Sequence, residues 1–454
     1  MINVCKNIIT NIKYKMDKIS DIIIQSKLTL DYNEYIKLLS EMIGHTGKLQ
    51  NNPPVQIPQE TLIVDIVLSV LDGLKGIQYE KVEYVKGRAN LIIKYTNNDI
   101  DCTTNKSIGF VGSHMDVVPA EPSQWKHNPF ALTIDNTNPD ILHGRGTTDC
   151  LGHVALLTLL LKELSYNNIK LNYTIGVVFI ADEENGSNKT IGVYHLGQDG
   201  KLDFLKNGPV YWVDTADIYP TVGTGTSMKW ELIVHGKRGH SGIPQNAINP
   251  VIYAMSATIG MMEVFKKQFP ELPIEKEYKY HCSSNLKPTQ LKETNGSINQ
   301  ITDTAIIQGD IRATPFYDWK EIRKILNEYI ISLNKNPEQL PIYHDKFPHT
   351  LEDAKVLFEL KWLNEPLLGV VCDMKSQGFK LISDATKLVH GSMDIQSCCG
   401  SLPLIAYLRD LGFDMQIIGY GCDEVYHANN EFCKFSWMKK GFDILANVLE
   451  KYNY

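Results

Sequence analysis

The chain predicts an α/β protein: a mixed, mostly parallel sheet with helices on both faces, interrupted by a smaller α+β domain. Three observations carry this. Near-continuous apolar strands alternate with helical segments, as a sheet buried on both faces requires. Acidic or imidazole residues recur at strand ends, where sites form in open α/β sheets. After Gly223-Thr224-Gly225 the pattern changes to half-exposed alternation. The 454 residues also exceed one ordinary core.

Each element follows from its local pattern. Residues 31–44 have apolar positions at helical spacing, with Asp31 as N-cap. Residues 90–95 and 106–117 read as strands. From Gly152, GHVALLTLLLKEL is apolar almost all round, as a helix laid on a sheet would be. Residues 173–184 and 208–217 are apolar strands ending in acids. Beyond the change in texture, 226–240 is a strand, 246–269 a helix, 304–315 a strand, 319–333 a helix and 356–363 a strand. Residues 400–412 and 415–421 return to helix and buried strand. The predicted domains are an N-terminal extension (1–30), a catalytic domain in two parts (31–222 and 373–454) and an insert (223–372).

Composition narrows the function classes. A net charge of −7 without concentrated Lys and Arg argues against nucleic acid. No apolar run approaches the roughly 20 residues of a membrane span. Nine cysteines without a CxxC indicate a reducing compartment, and the N-terminal segment lacks a secretory pattern, so a cytoplasmic location is expected, with a mitochondrial presequence as the weaker alternative.

The chemistry-bearing residues are His114, Asp116, Asp149, Glu183, Glu184, Asp214 and His427. Singly, each has an ordinary explanation: a hydrogen-bonded turn, a helix N-cap at Asp149, a solvated loop edge. Together, two imidazoles and several carboxylates suit a hydrolytic Zn²⁺, Co²⁺ or Mn²⁺ centre, whose cations offset the crowded negative charge.

In their order, Ser113-His114-Met115-Asp116-Val117-Val118-Pro119, Gly144 to Gly152, Asp182-Glu183-Glu184 and Gly236 to Ser241 resemble the motifs of the M20 family of metallopeptidases and deacylases. The resemblance runs from about residue 31 to the end. It departs at Val213-Asp214-Thr215, at Leu151, and at His427-Ala428-Asn429-Asn430-Glu431. The block HGRGTTDCLGHVALLT, with YWVDTAD and GYGCDEVYHANNE, looks most like the branch of eukaryotes such as plants that deacetylates N2-acetyl-L-ornithine.

The resemblance implies a di-zinc aminopeptidase- or phosphorylase-like catalytic fold with a ferredoxin-like lid and dimerisation domain, hinged near Thr221 to Gly225 and near 370–375. It implies two divalent ions, Zn²⁺ or Co²⁺. His114 and Glu184 would hold one, Asp214 and His427 the other, and Asp149 would bridge them. Asp116 would accept the second ring N–H of His114, while Val117, Val118 and Pro119 keep that turn dry and stiff. Glu183 would be the general base, distinguished from Glu184 because successive strand side chains face opposite sides. His240 would stabilise the oxyanion from a partner subunit, so a homodimer is implied. Arg312 would clamp the substrate carboxylate, with Asn299 beside it. Gly391 to Asp394 occupies a substrate-loop position but departs from the family form. Cys150, Cys398 and Cys399 read as small buried thiols.

The implied activity is release of acetate from N2-acetyl-L-ornithine, a step of arginine biosynthesis. Another N-acyl-amino-acid deacylase or a dipeptidase is the nearest alternative. A metal-binding protein without turnover is the alternative of another class.

Overall fold

The computed structural model describes residues 27–96, 105–185, 190–292, 296–342, 346–402 and 404–453. Of the expected N-terminal extension, residues 1–26 lie outside the described residues.

Helix α1 (Tyr32–Ile43) is capped by Asp31, whose side chain accepts from the Glu34 amide. Helix α2 (Thr61–Leu71) and strands β1 (Ile77–Glu83), β2 (Ala89–Tyr95) and β3 (Ser107–His114) follow. Then come helix α3 (Leu151–Tyr166), strand β4 (Thr174–Ile180) and strand β5 (Pro209–Val213).

A second compact unit comprises Gly223–Val371 and Gln396–Ala406. It contains strand β6 (Thr226–His235), strand β7 (Gly239–His240) and helix α4 (Pro250–Gln268). Strand β8 (Asn285–Leu291), strand β9 (Gln300–Ile301) and strand β10 (Thr304–Ala313) come next, then helix α5 (Trp319–Lys335) and strand β11 (Leu357–Trp362). The sheet order β8-β10-β6-β11 is antiparallel throughout. With α4 and α5 it makes the β-α-β-β-α-β ferredoxin-like arrangement. Its core is separate, built on Trp230, Phe265, Ile311, Leu326 and Phe358.

The first unit resumes with helix α6 (Gln377–His390), strand β12 (Asp414–Ile418) and helix α7 (Phe435–Tyr452). The expected catalytic return over 373–454 is thus interrupted, because Gln396–Ala406 groups with the second unit. Hydrogen bonds explain the reassignment: the Gly225 amide donates to Gly400 O at 2.6 Å and the Cys398 amide to Gly223 O at 3.1 Å. The helix expected over 400–412 is shorter, Ile405–Asp410.

In the first unit the sheet runs β1-β2-β4-β3-β5-β12. Strands β4, β3, β5 and β12 are parallel, and β1 and β2 add an antiparallel edge. Alternation along each strand separates the faces. Ile108, Phe110, Ile175, Val177 and Phe179 join the core with the long helices. On the other face, Gly109 and Gly176 leave room for Leu205, with Phe204 also against Gly176.

Strand β3 has β4 on one side and β5 on the other, so the winding direction reverses there. In such sheets the crevice at the carboxyl ends of these strands is the expected site. Those ends carry His114, Glu183-Glu184 and Asp214.

Candidate active site

Glycine sets the first position. Gly112 has φ +96°, and a Cβ there would lie 2.4 Å from the Trp212 ring. The β3–β4 register shifts between Val111 and His114. Such an irregularity re-aims the side chain that follows it. His114, fully buried, then places Nε2 2.9 Å from Asp149 Oδ1, 3.5 Å from Asp214 Oδ1 and 4.0 Å from Glu183 Oε2.

Asp149 comes from the turn before α3. The helix N-cap residue is Cys150, with no side-chain cap bond, so the N-cap explanation for Asp149 does not hold. Its carboxylate points instead at two imidazoles, Oδ1 toward His114 and Oδ2 toward His427 Nε2 at 3.1 Å. His427 Nε2 also lies 3.2 Å from Glu184 Oε2. A carboxylate with one oxygen facing each imidazole has the form of a bridging ligand.

These approaches group the candidate ligands differently from the expectation. His114 approaches Asp214 and His427 approaches Glu184, so the two sets sharing Asp149 are His114/Asp214 and His427/Glu184. The trio His114, Asp149 and Glu184 does place one candidate ligand atom each within 4.8 Å. The 3.2 Å contact between His427 and Glu184 nevertheless favours the second division.

Four further expectations change. The Nδ1 of His114 lies 2.8 Å from the main-chain oxygen of Asp116 and 3.6 Å from its carboxylate, so the carbonyl is the ring's hydrogen-bond acceptor. The Asp116 carboxylate accepts instead from the Glu183 and Glu184 amides, both at 3.1 Å. Glu183 and Glu184 are also not on a strand. β4 ends at Ile180 and Asp182 has φ +62°, so a turn and not strand alternation separates their roles. Of the turn after Asp116, Val117 is buried and Pro119 exposed, so only its first part is dry. Cys150 and Cys399 are buried as expected, but Cys398 is exposed.

The electrostatics are those of negative charge crowded out of water. Burial, then the Asp214, Glu184 and Asp149 carboxylates, raise Glu183 well above the usual carboxylate range against the pull of His114. Burial and Asp149 push Glu184 up to about 7. Burial works against the charge on Asp149, but hydrogen bonds from His114 and His427 outweigh it and hold the group below its ordinary value. Among the described residues, Glu184 Oε1 and Asp214 Oδ1 are buried without a hydrogen-bond donor. Buried carboxylate oxygens are ordinarily paired or bound to metal. Orphaned oxygens beside two imidazoles therefore fit a pair of divalent cations.

Sequence reasoning gave Glu431 no role in the site. Its buried carboxylate accepts from Arg145 Nη1 at 2.7 Å and from the amides of Gly146, Thr148 and Asp149 at 3.1, 2.8 and 3.0 Å. One loop thereby supplies both a candidate ligand, His427, and the clamp on the turn that carries Asp149. Its signal was present as an acid four residues after His427, but the three amides it binds come from a segment more than 280 positions away.

The remaining expected residues belong to the second unit. His240 on β7 pairs with Gln300 on β9, and the Ser241 amide donates to Asn299 O at 3.0 Å, which brings His240 and Asn299 together. His240 is exposed, and its Nδ1 accepts from the Gly242 amide at 3.0 Å, placing the ring proton on Nε2. Arg312 on β10 donates Nε to Asp310 Oδ2 at 2.7 Å, so a bound carboxylate would have to use its two Nη atoms.

The chain is similar to known proteins over most of its length. The profile described as Peptidase family M20/M25/M40 matches residues 110–451. An acetylornithine deacetylase of Arabidopsis thaliana is 42% identical, covering 95% of this chain and 98% of that protein. One from Dictyostelium discoideum is 41% identical, covering 93% and 97%. Among solved structures, a dinuclear metal-binding peptidase of the M20 family from Bacillus subtilis superposes with a TM-score of 0.58 at 14% identity, covering 93% of this chain and 99% of that one. With the profile spanning most of the chain and these relatives nearly full-length, the protein belongs to peptidase family M20/M25/M40.

Proposed function

We propose that this protein is a two-metal amidohydrolase that deacetylates N2-acetyl-L-ornithine to L-ornithine and acetate, a step of arginine biosynthesis. The observation that carries the chemistry is the Asp149 carboxylate, turned to His114 with one oxygen and to His427 with the other. Near-full-length identity of 41–42% to two acetylornithine deacetylases supports the substrate.

His114, Asp214 and Asp149 would hold one cation, and His427, Glu184 and Asp149 the other, Zn²⁺ or Co²⁺ by the chemistry of the donors. When bound, such ions acidify a water and polarise an amide carbonyl. Glu183 takes the proton of the attacking water and returns it to the departing amine. Burial suits it to this, because a carboxylate raised toward neutrality is the stronger base. Asp116 ties the Glu183 and Glu184 amides to the end of β3 and so fixes where both carboxylates stand. Among the described residues, no helix is long and apolar enough to cross a membrane.

The test is amine release from N-acetylornithine, N-acetylmethionine, N-acetylglutamate and a dipeptide by the Zn²⁺- or Co²⁺-loaded enzyme. N-Acetylornithine is expected to be turned over with the highest kcat/KM. Preference for another compound would overturn the substrate assignment, and inactivity on all four would overturn the hydrolase assignment.

His240 and Asn299 are assigned to a partner subunit's site, with His240 Nε2–H as oxyanion donor and Arg312 as carboxylate clamp. The exposed apolar stripe Val251, Met255, Ile259 and Met262 on α4 supports a dimer made through this unit. Mixing inactive Glu183→Gln with inactive His240→Ala subunits is expected to restore activity to the mixed dimers that pair the two intact halves. No recovery after subunit exchange demonstrated by mass spectrometry would count against action in trans.

A further inference from the structure

We infer that Asn51 is a positioning residue for Glu183, acting with Arg88 through the turn that carries the base. The inference rests on the reading of Glu183 as general base.

Asn51 lies in a loop stitched beside the strand-end turn of His114 and Asp116. The Asn51 amide donates to Val117 O at 2.8 Å, and the Val117 amide to Leu49 O at 3.0 Å. From there Asn51 Nδ2 bonds Asp116 Oδ2 and Asp182 Oδ1, both at 2.8 Å. An Asn NH₂ has two hydrogens, and both are used here, each on a different carboxylate. A neutral double donor thus lies between two acids that would otherwise repel each other. One belongs to the turn after β3 and the other to the turn after β4.

Arg88 completes the hold on Asp182. Its Nη2 lies 2.9 Å from Asp182 Oδ1, and its Nε and Nη2 form a fork on Glu60, 2.6 Å to each oxygen. Arg88 and Glu60 are buried, so these bonds do not compete with water. Glu60 Oε1 in turn accepts the Asp182 amide at 3.3 Å. Main chain and side chain of Asp182 are therefore both held.

That hold has a consequence one residue on. Asp182 adopts φ +62°, a conformation a non-glycine residue keeps only when its surroundings impose it. It sets the direction in which Glu183 and Glu184 leave β4, and the Asp116 carboxylate receives both their amides. Asn51 touches Asp116 and Asp182 together, so it ties the two anchors of the turn to each other. Its side-chain hydrogen bonds go to these two neighbours, through which it acts on Glu183.

The experiment is a double-mutant cycle on the metal-loaded full chain. Asn51→Ala is expected to lower kcat about 10- to 100-fold, the usual effect of losing a partner one shell out from the reacting groups. KM and bound metal are expected to stay within about threefold. In the Glu183→Gln background the same substitution is expected to change the residual rate less than twofold, because the group it positions is gone. A full additional loss in that background would overturn the inference in favour of a general structural role. So would an Asn51→Ala enzyme with unchanged kcat, or one whose activity returns with excess metal. Arg88→Lys, which keeps the charge but loses the fork, is expected to show the same dependence on Glu183. The assignment of Glu183 as base fails separately, if Glu183→Gln alone stays active.

Discussion

Replacing Glu183 by Gln is expected to lower kcat by about 10²–10⁴-fold while leaving the metal bound. The substitution keeps the shape and removes only the capacity to take a proton. Glu183 is buried, with its Oε2 4.0 Å from His114 Nε2, inside the cluster but outside the closest contacts of Asp149, Glu184, Asp214 and His427. Burial and three neighbouring carboxylates raise its proton affinity, so a neutral amide also relieves repulsion and should not loosen the ligands. The measurement pairs kcat with metal stoichiometry. Turnover within tenfold of wild type at full metal content would assign the proton transfer to another group, and loss of metal would make Glu183 a ligand.

Stripping the metal is expected to abolish turnover and to lower the melting temperature most above neutral pH. The side chains of Asp149, Glu183, Glu184 and Asp214 converge largely out of water, with His427 exposed at their edge, and two imidazoles cannot compensate all of them. The pH dependence follows from the shifts. With no cation between them, Glu184 titrates at about 7 and Glu183 is raised in the same direction. Between the ordinary carboxylate value near 4.3 and about 7, the folded protein holds protons that the unfolded chain has released. Stability therefore falls as pH rises through that window. His114 and His427 are also raised and extend the decline above the ordinary histidine range. Asp149 is lowered, so its contribution is lost only below the carboxylate range and does not oppose this slope. The stripped protein should melt at lower temperature at pH 8 than at pH 6. Zn²⁺ or Co²⁺ at a hundred times its Kd should restore about 2.7 kcal/mol. Equal melting of stripped and loaded protein at pH 8 would mean that these oxygens do not hold a cation.

The sequence by itself determined the class of fold and named most of the residues proposed for the site. Apolar strands buried on both faces can be recognised because every residue in them must be apolar, and acids at their ends then stand out. The second unit is legible because half-exposed strands alternate. Less visible were β1 and β8, mostly exposed strands whose polar residues resemble loop, and α2, α6 and α7, which the reading passed over.

Tertiary structure decided the relations between residues distant in the chain. It turned the two oxygens of Asp149 to different imidazoles and set His427 beside Glu184. It gave the His114 ring a main-chain acceptor and freed Asp116 to receive two amides. It also drew Asn51, Arg88 and Glu431 into the site. Asn51 and Arg88 carry no local signal, because a lone amide or guanidinium in a loop is ordinarily solvated, and Glu431 showed only as an acid four residues after His427. Burial changes their role: away from water, each donor and acceptor must find a protein partner, and only the folded chain brings those partners within reach.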